Sequence, residues 1–173
     1  PLSRREMLSQ PHRPDQVDLR EWQLLSVNEL LIGEIRRASI GGYLIQYRLI
    51  SAFSGDDLVS GSINSSERGL RFAAHQIADI VYETLTGEPG AFATRIAYVS
   101  VQGRGDRTRY ALRVADSDGE NPQTILESPD PIMSPSWAPN GRRLAYVSFE
   151  GGSSAIYVQE LETGQRRLVA SYD

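Results

Sequence analysis

The 173-residue sequence contains no cysteine and no lysine. The first absence excludes disulfide staples, thiol nucleophiles and cysteine-ligated metals together. It fits an oxidising compartment and the cytosol equally well. All 18 basic residues are arginine, set against 22 acidic ones, for a formal charge of −4. A chain of that balance has no broad attraction for phosphate backbones, so nucleic acid is not an expected partner. Long apolar runs are missing too. Leu30-Leu31-Ile32 is typical of the longest, far short of a membrane-spanning helix. Histidine is confined to His12 and His75. A nucleophile elbow would read G-x-S-x-G, and the nearest string, Gly151-Gly152-Ser153-Ser154-Ala155, fails at its last position. No catalytic residue, cofactor site or metal site is therefore expected. His75, beside an apolar helical stripe, is assigned a structural role.

What is present is an ordinary globular composition, 40% hydrophobic and 23% charged, enough for one modest domain or two small ones. Residues 1 to about 15 are polar and Pro-spaced and read as a lead-in. Asp18-Leu19-Arg20-Glu21 has capping-box spacing and predicts a short helix from Leu19 to about Leu25. Strands are predicted over Glu29–Arg37, Tyr43–Ser51 and about Leu58–Ile63, with turns at Gly41-Gly42 and Gly55-Asp56-Asp57. In the second strand, Tyr43, Ile45, Tyr47 and Leu49 are expected to face the core. Asn64-Ser65-Ser66-Glu67 then caps the longest helix, whose expected stripe is Leu70, Ala74, Ile77, Val81 and Leu85. Gly87 is placed to end it and Pro89 to prevent its continuation. Gly87–Gly90 is the best linker, so an α+β unit is expected over 1–90.

Beyond Gly90 no helical period returns. Short strands alternate with Gly, Asp, Asn and Pro turns, and the sequence repeats. Arg95-Ile96-Ala97-Tyr98-Val99-Ser100 comes back as Arg143-Leu144-Ala145-Tyr146-Val147-Ser148, an offset of 48. Each copy continues through a Gly-rich turn, an alternating strand, a hairpin (Asp118-Gly119, then Thr163-Gly164) and a third strand. A repeat of this length with about four strands is the mark of a β-propeller blade. Residues 91–173 are expected to hold one blade and most of a second. Because a ring needs several blades, and no initiator Met or signal segment opens the chain, the sequence is expected to be a fragment.

The residues also resemble a known family. Leu70-Arg71-Phe72-Ala73-Ala74-His75-Gln76-Ile77-Ala78-Asp79 through Leu85–Phe92 resembles the helix and linker of the TolB family, periplasmic components of the Tol–Pal system. Thr94–Val99 is similar to that family's first propeller strand. Met133-Ser134-Pro135-Ser136-Trp137-Ala138-Pro139-Asn140-Gly141 is similar to its blade signature, Ser-Pro-x-Trp-Ser-Pro-Asp-Gly, departing at Ala138 and Asn140. The resemblance implies an N-terminal α/β domain followed by a six-bladed propeller, of which the chain would hold the first two blades. It further implies a non-enzymatic periplasmic scaffold that binds the peptidoglycan-associated lipoprotein (Pal) and other outer-membrane proteins, and that maintains the outer membrane during division. The segment by which the family contacts TolA is implied to be missing.

Individual residues are weighed within that frame. Asp116–Asn121 resembles a calcium loop but lacks the required spacing and terminal Glu, so it reads as a turn. Trp137 is expected to wedge between adjacent sheets, and Gly141 to complete an Asn-Gly hairpin. Pro131-Ile132-Met133-Ser134 leads into a short strand at a propeller rim. Ile132, Met133 and Ser134 are therefore candidates for the lipoprotein-binding face, with packing beneath a hairpin as the competing role. Arg36-Arg37, Arg142-Arg143 and Arg166-Arg167 read as solvated edge guards. Two other functions fit the residues: the propeller cap of a prolyl-oligopeptidase-like serine peptidase whose catalytic domain lies elsewhere, and a carbohydrate- or metal-binding propeller.

Overall fold

The computed structural model describes residues 7, 9–11, 13–39 and 41–172. Most of the Pro-spaced lead-in, with His12, lies outside them. The chain divides into two compact units, Pro1–Ala93 and Thr94–Asp173.

The first unit is a three-stranded antiparallel meander, β1 (Glu29–Arg37), β2 (Tyr43–Ser51) and β3 (Asp57–Ser65), in the order β1-β2-β3. A six-residue helix, α1 (Leu19–Leu24), precedes it, and α2 (Leu70–Thr86) follows. Asp18 caps α1 by accepting the amide of Arg20 at 3.0 Å. Ser66 accepts the amide of Gly69 at 3.2 Å in the turn that leads into α2. Gly87 closes α2 in the left-handed conformation (φ 76°), and its amide bonds the carbonyl of Glu83.

The expected single core face of this sheet is corrected to two. Ile45 packs with Ala73 and Ile77 of α2 on one side. On the other, Ile50 joins Trp22, Leu30, Ile32 and Ala52 in a second buried cluster under α1. The short helix carries a large aromatic, and Gln23 fastens it by donating from Nε2 to the carbonyl of Ala52 at 2.7 Å. The stripe on α2 shifts as well. Ala73 is buried and Ala74 is exposed, while Leu85 runs past the sheet and lies open. A spacing of three and four satisfies a helix from either alanine, so only the docking angle selects between them.

The second unit is two antiparallel sheets. The first has the order β4-β5-β6, from β4 (Arg95–Gln102), β5 (Arg109–Asp116) and β6 (Gln123–Ser128). The other has the order β10-β9-β8-β7, from β7 (Ile132–Trp137), β8 (Arg143–Ser148), β9 (Ala155–Glu160) and β10 (Arg166–Ser171). The two copies of the repeated hexapeptide occupy matching strands, β4 and β8. Their registers match too: Ala97 and Val99 oppose Val114 and Leu112, and Ala145 and Val147 oppose Val158 and Ile156. Even the irregularities coincide. Ile125 is skipped in the pairing of β5 with β6, and Val169 at the equivalent place in β9 with β10.

The number of strands in each sheet reverses the expectation. The first sheet has three strands and the second has four, because the Ser-Pro-Ser-Trp segment pairs forward with β8 and not back with the sheet before it. Leu112 and Val114 from one sheet meet Ile132, Leu144 and Tyr146 from the other in a single buried cluster. Leu144→Ala is expected to cost about 2–5 kcal/mol, the range for a buried leucine. Leu24→Ala, at a side chain 81% exposed, is expected to stay within about 0.5 kcal/mol. Urea denaturation of the two variants checks both values.

Candidate protein-interaction site

The candidate segment begins where β6 ends. Ser128 is buried, and its hydroxyl accepts the amide of Asp130 at 3.0 Å, turning the chain towards β7. The carbonyl of Pro131 accepts the amide of Phe149, which pins the start of β7. The three candidate contact residues then part company. Ile132 is 2% exposed and belongs to the inter-sheet core, so it is withdrawn from the contact face; its burial follows from alternation along a strand whose inner side meets β5. Met133 is 51% exposed and opposes Val147. Ser134 is exposed, with φ 52°. The pairing of β7 with β8 breaks between Met133 and Ser136, which is where Pro135, with no amide proton, can be tolerated in a strand.

Trp137 is half-buried against the inter-sheet cluster. The guanidinium of Arg95, on β4, stands 5.1 Å from its ring centroid. The same guanidinium donates from Nη2 to the carbonyl of Gly141 at 2.7 Å. Gly141 sits in the left-handed region (φ 64°) of the turn from Ala138 to Arg143, and Asn140 Oδ1 accepts the amide of Arg142 in the same turn. Trp137 and Gly141 thus bind β4 to the neighbouring sheet through one arginine. Beside them is a cleft of about 180 Å³, lined by Arg95, Arg142, Glu160 and Glu162 among others. Charges of both signs line it.

Two structural residues lie in the other unit. Gly87 caps α2, and His75 is half-buried on that helix, two residues before Ile77. Asp116–Asn121 is a turn: Gly119 has φ 85°, its amide bonds the Asp116 carbonyl, and Asn121 donates to the Asp116 carboxylate at 2.7 Å.

Sequence reasoning missed a buried polar chain. Tyr146 donates its hydroxyl to Gln159 Oε1 at 2.9 Å. Gln159 donates in turn from Nε2 to the carbonyl of Ile125 at 3.4 Å, across to the other sheet. Ile125 is the residue its own ladder skips, so its carbonyl is free to accept. Arg166, expected as a solvated edge guard, lies exposed on the edge strand β10, where it also makes specific contacts. It pairs with Glu150 at 2.6 Å and lies 4.9 Å over the ring of Tyr157. Burial pushes the Tyr146 phenol above its ordinary value, and the Arg166 guanidinium pulls partly against that. The bond to Glu150 pushes Arg166 upward as well. Tyr146 stands between Ala145 and Val147, and Gln159 between Val158 and Glu160, so the alternation carries no signal that either is buried.

Two family profiles match the chain, one described as the TolB amino-terminal domain over residues 1–58, the other as the TolB beta propeller domain over residues 82–173. A curated protein of Xanthomonas oryzae pv. oryzae named Tol-Pal system protein TolB is 44% identical over 167 residues, covering 96% of this chain and 38% of its own length. A protein of the same name from Methylococcus capsulatus is 48% identical over 169 residues, covering 98% of this chain and 40% of its own. The crystal structure of TolB from Acinetobacter baumannii matches at TM-score 0.83 and 37% identity, over 92% of this chain and 40% of that one. The chain therefore spans about two fifths of the length of these relatives, and its tandem sheets are part of a β-propeller.

Trp137→Ala is expected to cost about 2 kcal/mol, below the 3–5 typical of a fully buried aromatic, since the residue is not fully buried. A double-mutant cycle with Arg95→Met is expected to give a coupling of about 0.5–1 kcal/mol. Tyr146 holds its proton more tightly folded than unfolded. Its contribution is intact below pH 10 and is lost as pH rises through the raised folded value. Urea titrations from pH 7 to 11 are expected to show a decline above pH 10 that is shallower in Tyr146→Phe.

Proposed function

From the premise that this chain belongs to the TolB family, we propose that it forms part of a non-enzymatic periplasmic scaffold of the Tol–Pal system. Its partners in this reading are the peptidoglycan-associated lipoprotein, TolA and other outer-membrane proteins, and its service is outer-membrane integrity and cell division. The observation that carries the reading is the match to TolB of Acinetobacter baumannii across 92% of the chain. Residues 1–90 correspond in this proposal to the C-terminal part of the N-terminal domain, and residues 91–173 to the first blade and most of the second. The peptidase-cap alternative gives no account of the match of residues 1–58 to the TolB amino-terminal domain.

The repeat supports the blade reading on its own terms. Ala97, Val99, Leu112 and Val114 pack against the following sheet. Their counterparts in the second sheet, Ala145, Val147, Ile156 and Val158, form an equivalent apolar face, and Val169 repeats the skipped position of Ile125. A third sheet of the same kind would cover that face, as a blade requires.

Lipoprotein contact is assigned to Met133 and Ser134, which project from the break at Pro135. An unbranched, polarizable side chain beside a hydroxyl suits an adaptable protein contact. In the full-length protein, Met133→Asp is expected to weaken binding to the lipoprotein at least tenfold in a pull-down followed by calorimetry, with the melting temperature unchanged. Unchanged affinity with a lowered melting temperature would transfer Met133 to packing between sheets.

A further inference from the structure

The stretch from the end of α2 to β4 has the composition of a flexible linker, yet it is fastened along its length. Asp79, in the third turn of α2, accepts the amide of Phe92 at 2.6 Å through one carboxylate oxygen and the amide of Ala93 at 3.0 Å through the other. Two main-chain donors on one carboxylate make a charge-assisted pair, stronger than neutral bonds. Gly90 makes the approach possible. A Cβ there would stand 2.5 Å from the Asp79 Cα, a collision with backbone that no rotamer relieves. The ring of Phe92 meets Tyr82 edge-on, with centroids 5.9 Å apart. Asp79 and Tyr82 are three residues apart, so they share one side of the helix. Ala73 and Ile77 of the same helix are buried against Ile45 of the sheet. One helix thus grips the sheet through its apolar stripe and the departing chain through Asp79 and Tyr82.

We propose that Asp79 is a latch and Gly87–Ala93 a strap. The latch holds the connector on α2 in one conformation from Gly87 to Ala93. Any displacement of α2 on its sheet is then passed along the connector as far as Ala93. A partner that engages the Asp79 carboxylate or shifts α2 must first open the latch, which releases about seven residues of connector. Asp79 acts here as a positioning residue, Gly90 supplies the close approach, and Phe92 with Tyr82 forms the apolar half of the clasp.

Hydrogen–deuterium exchange on the full-length protein tests this. In Asp79→Ala and in Gly90→Ala, the amides of Phe92 and Ala93 are expected to exchange at least tenfold faster than in the parent. Amides of β2 should keep parental rates. Asp79→Asn, which retains one acceptor oxygen, should fall between. Thermolysin cleavage at the Ala91–Phe92 bond should accelerate in the same order. Parental exchange and cleavage in Asp79→Asn and Gly90→Ala would overturn the proposal. So would faster exchange spread through β2 in Gly90→Ala, because the contact would then be holding the unit together and not latching a strap.

Discussion

Residues 94–173 cohere because one apolar face is pressed against another. A three- or four-stranded sheet with hydrophobic side chains on one side has no way to cover them from within its own strands. Leu112 and Val114 from the first sheet supply half of the contact, and Ile132, Leu144 and Tyr146 from the second supply the rest. The rest of the unit follows from keeping those faces together. Turns at Gly119, Gly141 and Gly164 adopt positive φ, so each strand reverses tightly and returns in register. The break at Ser134–Pro135 bends β7 while leaving Ile132 in the core and Met133 outside it.

Polar groups give that apolar contact its alignment. Gln159 accepts from Tyr146 within its own sheet and donates to Ile125 in the other. Arg95 reaches from β4 to the carbonyl of Gly141 while covering Trp137. Sliding one sheet along the other would strand a buried amide at one place and a guanidinium bond at another, each costing about 1–3 kcal/mol. Hydrophobic burial holds the sheets together, and these directional bonds select one relative position. The skipped residue in β6 serves the same end, since a regular ladder would occupy the carbonyl that Gln159 needs.

The first unit treats its sheet differently. Both faces are covered, one by the Trp22 cluster under α1 and one by α2. The helix with the longer contact also receives the connector on its far side, through Asp79 and Tyr82. A segment rich in Gly and Pro is therefore ordered by a single carboxylate.

Much of this architecture was legible in the order of the residues. Asp18, Ser66 and Gly87 mark helix ends because their side chains, or the lack of one, satisfy backbone groups locally. The repeated hexapeptide placed β4 and β8 on matching strands because identical alternation needs an identical register. Residues near in sequence settle such features without help from the rest of the fold. What remained open depends on groups far apart along the chain. Ala73 or Ala74 on α2, the second core face of β2, the burial of Ile132 beside an exposed Met133, and the pairing of Ser-Pro-Ser-Trp with the later sheet are all decided by which surface arrives opposite. The polar chain from Tyr146 to Ile125 and the grip of Asp79 on Phe92 are of that kind. A side chain's composition fixes what it can bond, and only the packed tertiary structure determines which partner comes within reach.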